Sequence, residues 1–244
     1  MTGPDRQKDS DPAATSESLT DRAHRQLEEM IVTLRLQPGQ ILSEQELSAQ
    51  LDIGRTPIRE ALQRLAHEGL IVILPRKGIL VAETDPWRQL QVLEVRRELE
   101  RLLSRASAAR ATPEQRVQFQ AIATSMRKAA KRNDDLAFLR DDRAFNLLLP
   151  QAAHNVYAAR AMRLLNGHSR RFWYMNYKRV GDLPLMAQLH ADQASAIAGG
   201  DADAAAKASD VLIDYAESFT RATVERDVFS SGVLAKASAK ARPV

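Results

Sequence analysis

The chain has 244 residues, 44% of them hydrophobic, which is enough for one large domain or two modest ones with a buried core. It contains no cysteine, which excludes disulfide bonds and thiolate metal sites and is typical of a cytoplasmic protein. The net charge of +4 is small, so overall charge gives only weak evidence for a nucleic-acid partner.

The first segment, residues 1–17, is rich in Asp, Ser, Pro and Thr and has no hydrophobic periodicity. We expect a disordered arm there. The N-terminus is polar and has no signal-peptide pattern, and no apolar run in the chain reaches membrane-spanning length. We therefore expect a cytoplasmic protein with no membrane partner.

Three helices are predicted in the next fifty residues. Apolar residues at helical spacing predict the first over about 20–36. Pro38 and Gly39 end it, and a capping box that begins at Ser43 starts a second, short helix that ends near Leu51. A tight turn then leads directly into the third helix, an arrangement typical of a helix-turn-helix.

The third helix, 54–65, has an apolar stripe and a separate polar cluster near its N-terminal end. The stripe consists of Ile58, Leu62 and Leu65. The cluster consists of Arg55, Thr56 and Arg59, placed where a helix can direct donors into a DNA groove. On a third face, Glu60 and Arg64 are four residues apart and can form an exposed pair. This pattern predicts a DNA-recognition helix.

Two β-prone runs, 70–74 and 79–81, flank a basic turn and predict a hairpin. Together, the three helices and this hairpin predict a winged helix-turn-helix domain over 18–83. The tip of the wing would place Arg76 and Lys77 near a DNA phosphate or the minor groove. The alternative is a small helical domain with a solvated basic turn. The segment 18–83 has eight Arg and Lys against nine Asp and Glu, a balance of −1, so binding must depend on where its cations lie.

Five motifs of this segment match one known family. They are Pro38-Gly39, Ser43-Glu44-Gln45-Glu46-Leu47, Arg55-Thr56-Pro57-Ile58-Arg59-Glu60-Ala61-Leu62, Glu68-Gly69-Leu70 and Gly78. Through them the chain resembles the GntR family of bacterial transcription regulators. The resemblance implies that Arg55, Thr56 and Arg59 contact operator DNA, with help from the wing near Gly78.

Two residues depart from that family's pattern. Gly54 replaces the Ser or Thr common at the start of the recognition helix, which removes a side-chain cap. Gln45 stands where some members have an Arg that reads a base, and it is the candidate contact at that position. Both departures bear on which operator is bound.

Beyond Glu83 the sequence predicts helices only. Asp85 as N-cap and Pro86 at the first helical position begin a second domain, 85–229. The predicted helices lie at about 86–110, 113–132, 136–149, 155–179, 185–198 and 202–229, followed by a flexible tail over 230–244. The fold class is therefore mainly α, a winged helix-turn-helix followed by a helical bundle. The bundle resembles the C-terminal ligand-binding (FCD) domain of the FadR-type subfamily.

Four polar residues lie within apolar stripes of these helices: Arg96, Asp142, Asn146 and His190. A buried charge without a partner is costly, so these groups should contact each other, a ligand or water. Arg96 could bind the carboxylate of a small organic or sugar acid with two hydrogen bonds. Arg170, at the start of the cluster 170–174, is a further candidate. The alternative is a core network that needs no ligand.

The resemblance also raises the question of a metal. Many relatives hold a divalent ion with an Asp, a His one helical turn later and two His from later helices. Aligned by motif, this chain supplies Asp142, Asn146 in place of the first His, and His190, with Leu212 at the third His position. An amide is a weak ligand for Zn, Ni or Mn and Leu is none, so a metal site and a metal-free pocket both stay open.

These observations predict a ligand-responsive transcription regulator of the bacterial nucleoid, not an enzyme. It would bind a palindromic double-stranded operator as a homodimer, and a small carboxylate effector would bind in the bundle. The resemblance implies that ligand binding relieves repression, which is the usual direction of control in this family. Two alternatives remain: a helical metalloenzyme with a DNA-binding appendage, which the lack of a Glu-x-x-His pair disfavours, and a constitutive DNA-binding scaffold with a vestigial pocket.

Overall fold

The computed structural model describes residues 17–240, with side chains described for 17–226. The arm predicted over 1–17 lies outside the described residues except for Glu17, as does the end of the predicted tail, 241–244. The described chain forms an N-terminal domain of three helices with a small sheet, followed by a domain of helices. None of the described helices is both long enough and apolar enough to cross a membrane.

The N-terminal domain is built on the helices α1 (Leu19–Val32), α2 (Glu44–Leu51) and α3 (Arg55–His67). Serine hydroxyls cap the first two, since Ser18 and Ser43 each accept a hydrogen bond from a backbone amide in the first turn. Helix α1 ends earlier than the predicted residue 36 because Leu34 has a left-handed backbone with φ of 58°.

A three-stranded antiparallel sheet completes this domain, with strands β1 (Ile41–Leu42), β2 (Ile71–Leu74) and β3 (Gly78–Val81) in the order β1-β3-β2. The β2–β3 hairpin is the predicted wing. Strand β1 was not predicted because two residues have no recognisable alternation; it exists through its pairing with Ile79 and Leu80 of β3. A Cβ at Gly78 would lie 2.8 Å from the carbonyl oxygen of Leu42, so only glycine fits there.

The second domain consists of α4 (Pro86–Arg110), α5 (Pro113–Arg132), α6 (Asp135–Ala152), α7 (Val156–Val180), α8 (Leu183–Gly199) and α9 (Ala202–Lys240). The bounds of α4 and α5 coincide with the prediction, because each begins at a capping residue followed by proline. The backbone of α9 stays helical to Lys240 and does not end at Phe229 as predicted. Alanine and lysine, which are frequent after that point, favour helix.

One face of α7 packs against the N-terminal domain. A Cβ on Gly167 would come within 2.7 Å of the Leu70 side chain, so the two domains approach closely there. His168 Nε2 lies 2.8 Å from the backbone oxygen of Glu68, just past the end of α3, and burial lowers the pKa of this histidine. Arg171 donates to the backbone that follows β3. The bundle is thus in direct contact with the segment that follows α3.

Candidate DNA interface and buried cavity

The predicted recognition helix α3 has its apolar stripe inside and its polar cluster outside. Ile58, Leu62 and Leu65 are buried in the core of the N-terminal domain. The cluster of Arg55, Thr56 and Arg59 is exposed. Gly54 is the N-cap and makes no side-chain hydrogen bond there, as its lack of a side chain predicts. The three polar residues are therefore placed where DNA can reach them.

Arg59 has a protein partner that the sequence reading missed. Its Nε lies 3.2 Å from both carboxylate oxygens of Glu44, and its Nη2 lies 2.9 Å from Oε2. The hydrogen bond from Arg59 lowers the pKa of the Glu44 carboxyl. Glu44 opens α2 and precedes Gln45, which is exposed. The pair therefore links the start of α2 to the recognition helix at the predicted DNA face.

The predicted pair between Glu60 and Arg64 does not form. Glu60 accepts a hydrogen bond of 2.7 Å from the hydroxyl of Thr20, and Arg64 Nη1 lies 2.7 Å from Asp21 Oδ1. Both partners belong to α1, because the face of α3 that carries these residues turns toward that helix. These contacts fasten the recognition helix to α1.

The wing tip presents the two predicted cations to solvent. The chain turns over Pro75, and the amide of Lys77 donates to the carbonyl of Leu74 at 3.1 Å. Arg76 takes a left-handed conformation with φ of 62° at the third position of this turn. The side chains of Arg76 and Lys77 are exposed, so the turn geometry places both at the end of the hairpin.

The second domain contains a cavity between α4, α6, α7, α8 and α9. Its free volume is about 50 Å³, room for a few water molecules, so a larger guest requires side chains to move. Its apolar wall includes Phe138, Phe172, Trp173, Met186, Leu212 and Phe219. Its polar wall consists of Gln89, Arg96, Asp142, Ser169, Arg170, His190 and Thr220. Four of the five predicted pocket residues thus line one cavity.

Asp142 is the centre of the polar wall. Its Oδ2 accepts a hydrogen bond of 2.8 Å from Arg170 Nε, and its Oδ1 accepts one of 2.8 Å from Asn146 Nδ2. His190 Nε2 lies 3.3 Å from the same Oδ1. Burial alone raises the pKa of Asp142, but the hydrogen bond from His190 and the charge of Arg170 outweigh it and lower the pKa to about 2. Asp142 is therefore an ionised, fully paired carboxylate.

His190 lies between two acceptors and two phenyl rings. Its Nδ1 is 3.0 Å from the carbonyl oxygen of Met186, while its Nε2 faces Asp142. The rings of Phe138 and Phe145 pack edge-on against the imidazole, with ring centroids 5.4 and 6.2 Å from its centroid. His190 is therefore held in place by the backbone of Met186 on one side and by Asp142 on the other.

Two guanidinium groups in the cavity wall each have a buried N–H group without a hydrogen-bond partner among the described residues. Arg96 Nη2 lies 2.7 Å from Glu100 Oε2, whereas its buried Nε has no hydrogen-bond partner among the described residues. Arg170 Nη1 is likewise buried without a hydrogen-bond partner among the described residues, and Oε1 of Glu28 lies 3.6 Å from it. A buried N–H without an acceptor is costly, so each group favours a further hydrogen-bond acceptor, such as a water or a ligand oxygen, at its unpaired N–H.

Sequence reasoning missed a second polar network beside the cavity. Gln193 Nε2 lies 2.9 Å from Ser104 Oγ and 3.3 Å from Glu100 Oε1. The signal was available, since Glu100 is one helical turn after Arg96 and Gln193 is three residues after His190. The network gives Glu100 a donor besides Arg96. Gln193 Oε1 is itself buried without a hydrogen-bond partner among the described residues, so this cluster is not a fully satisfied core network either.

The residues at the expected metal positions do not fit a metal. Both oxygens of Asp142 accept hydrogen bonds, and the amide of Asn146 turns its NH₂ group, not its oxygen, toward that carboxylate. His190 Nε2 faces Asp142, and Leu212 adds an apolar wall. Among the described residues no three His, Cys, Asp or Glu side chains are grouped as a metal would need. The Arg170 guanidinium takes the place beside the carboxylate that a cation would require.

The exposed cluster on α3, the wing and the helical second domain define a winged helix-turn-helix protein with an all-α partner domain. Residues 19–81 match the family of bacterial regulatory proteins called the gntR family, and residues 91–215 match the FCD domain. The chain therefore belongs to the GntR family and has an FCD domain. It is a DNA-binding transcription regulator and not an enzyme.

Similar proteins agree with this assignment. The HTH-type transcriptional repressor RspR of Escherichia coli K12 is 29% identical over 193 residues, 79% of this chain and 85% of that protein. The HTH-type regulator YdfH of Escherichia coli O6:H1 is 30% identical over 190 residues, 78% of this chain and 83% of that protein. The structure of Escherichia coli McbR/YncC superimposes with a TM-score of 0.73 at 19% identity, over 85% of this chain and 99% of that one.

Proposed function

We propose that this regulator is a repressor that binds a palindromic operator as a homodimer and responds to a small carboxylate in its FCD cavity. The exposed cluster of Arg55, Thr56 and Arg59 would enter the major groove, with Gln45 beside it. Arg76, Lys77 and Gly78 would bring the wing to the backbone or minor groove. Two such heads in a symmetric dimer would bind two half-sites.

The observation that carries the effector proposal is the pair of guanidinium groups at one cavity. Arg96 and Arg170 each have a buried N–H without a hydrogen-bond partner among the described residues, in a wall that is otherwise largely apolar. A carboxylate is the ligand that guanidinium groups recognise best, and an apolar wall suits the carbon skeleton of a small acid. Organic and sugar acids are therefore the effector class, and no metal is required to bind them.

Repression is supported by the relative RspR, whose name states that activity for that protein. If an acid binds more tightly when the DNA-binding domains are displaced from the operator, its binding lowers the affinity for the operator by the same factor. That loss of operator affinity relieves repression. The metalloenzyme alternative loses support because the donor set does not fit a metal and the family is one of regulators. The scaffold with a vestigial pocket remains the rival that an experiment must separate.

Thermal unfolding of the full chain with acetate, succinate and gluconate tests the effector site. A ligand at a hundredfold its Kd should stabilise the wild type by about 2.7 kcal/mol. The variant Arg96→Gln with Glu100→Gln removes one guanidinium without leaving a buried carboxylate unpaired, and it should lose most of this response. The exposed Arg88→Gln on the same helix is the matched control and should keep it. Silence of all three acids, or an undiminished response in the double variant, would favour the scaffold.

A further inference from the structure

One buried side chain touches both the cavity and the DNA-binding domain. Arg170 Nε lies 2.8 Å from Asp142 Oδ2 in the cavity wall. Its Nη2 lies 3.3 Å from Glu29 Oε2, and its Nη1 lies 3.6 Å from Glu28 Oε1, both on α1. The Arg170 side chain is only 4% exposed. A single cation is therefore shared between one carboxylate of the bundle and two carboxylates of the DNA head.

The helix that carries these two acids also holds the recognition helix. Near its N-terminal end, Thr20 and Asp21 of α1 bind residues of α3 at 2.7 Å, and His24 Nε2 lies 2.9 Å from Glu68 Oε2 just past the end of α3. A change at the C-terminal half of α1 can therefore reach α3 through one rigid helix. No other element is needed between the cavity and the recognition helix.

Carboxylates outnumber guanidinium groups around Arg170. Three carboxylates face its guanidinium group. Among the described residues, Arg143 Nη1 also lies 2.9 Å from Glu28, and His190 Nε2 lies 3.3 Å from Asp142. Solvent screens such a buried site little. The contact with Asp142 is short, whereas those with α1 are the longer ones. An additional anion in the cavity would therefore weaken the hold on α1 before it displaced Asp142.

We propose that Arg170 is the coupling residue of this regulator. An acid in the cavity competes with Glu28 and Glu29 for its guanidinium, loosens α1 and so frees the recognition helix from its DNA-ready position. This inference rests on the proposed function in one respect only, that the cavity accepts a carboxylate. The underlying competition between Asp142 and the two acids of α1 needs no ligand and can be measured without one.

A double-mutant cycle on the full chain tests that competition, with hydrogen exchange of the α1 amides as the readout. Asp142→Asn leaves Arg170 to the acids of α1, so α1 exchange should become several-fold slower. Glu28→Gln with Glu29→Gln should make it faster, on the order of tenfold. In that second background Asp142→Asn should no longer slow α1 exchange. Purely additive effects would overturn the proposal.

Two controls separate coupling from general destabilisation. Glu98→Gln removes an exposed acid of α4 and should leave α1 exchange unchanged. Amides of α5, which contributes no residue to the Arg170 cluster, should exchange at the wild-type rate in Glu29→Gln. If Asp142→Asn fails to fold, Glu29→Gln alone is measured. An increase in exchange relative to the wild type that is the same in α1 and in α5 would contradict the coupling.

The acids of the thermal-unfolding experiment supply a separate arm. If succinate or gluconate binds, the variant Glu28→Gln with Glu29→Gln should bind it several-fold more tightly than the wild type, because the head no longer competes for Arg170. Weaker or equal binding would overturn the coupling. If neither acid binds while the cycle is non-additive, the effector class is wrong and the coupling stands.

Discussion

The carboxylate of Glu44 and the guanidinium of Arg59 form an ion pair at the proposed DNA-facing surface, with Nη2 2.9 Å from Oε2. The Arg59 side chain is 63% exposed, so the pair itself adds little stability. Glu44 holds Arg59 in one orientation, and in the proposed complex its negative charge would lie near the DNA phosphates.

Replacement of Glu44 by Gln should therefore raise affinity for non-specific DNA more than affinity for the operator. The like charge opposite the phosphates is removed, while the orientation that serves the specific contact is weakened. Fluorescence anisotropy with an operator duplex and a scrambled duplex at equal salt gives the ratio of the two affinities. We expect that ratio to fall. An unchanged ratio would show that Glu44 plays no part in recognition.

Replacement of Arg59 by Ala should weaken operator binding by about 1–3 kcal/mol, the value of a bidentate contact to a base. The scrambled duplex should lose much less. Arg88→Ala, an exposed arginine of α4, is the matched control and should leave both affinities unchanged. Equal losses on the two duplexes would make Arg59 a phosphate contact and not a base contact.

Unfolding at low pH should reveal that the Asp142 carboxylate is paired in the folded chain. The pKa of this group is lowered from 3.8 to about 2 in the folded chain. A lowered folded pKa means that the stabilisation is present above the unfolded value near 3.8 and is lost as the pH falls from there toward 2. The shift corresponds to roughly 2 kcal/mol. Urea unfolding of wild type and Asp142→Asn should show a gap in stability that narrows from pH 6 to pH 3, and a constant gap would contradict the ion pairing.

Zinc, nickel or manganese should not stabilise this protein specifically. Asp142 is engaged by Arg170, and Leu212 stands at the position expected for a histidine ligand. After dialysis against the metal and then against buffer, elemental analysis should find well under one ion per chain, and EDTA should not change the unfolding temperature. One ion per chain with a loss of stability in EDTA would overturn the account of the cavity.

Much of the fold could be predicted because its signals are local. Asp85 with Pro86 sets the start of α4, and the stripe of Ile58, Leu62 and Leu65 sets the inner face of α3. Strand β1 could not be predicted, since its two residues are strand only through pairing with β3. The end of α9 was missed because composition suggested a tail while helix propensity favours continuation.

The site was predicted less completely, for a physical reason. Asp142 and Asn146 are one helical turn apart, so their contact is readable from spacing. Arg170 meets Asp142 across 28 positions and Glu29 across 141, and no periodicity encodes such contacts. The pairing of Arg59 with Glu44, 15 residues earlier, depends on how α2 and α3 cross. Contacts between residues far apart in the sequence, within a domain or between domains, are therefore the ones that required a structure.

We propose above all that an acid in the FCD cavity changes the affinity of the recognition helices for DNA. The direct measurement is operator anisotropy on the full chain, with an operator selected by the wild-type protein from random duplexes, in the presence and absence of succinate and gluconate. We expect a saturating acid to weaken operator binding about 5- to 150-fold, the usual range of allosteric coupling. The effect should disappear in Arg96→Gln with Glu100→Gln. Operator affinity that is indifferent to these acids, or equally responsive in that variant, would contradict the account.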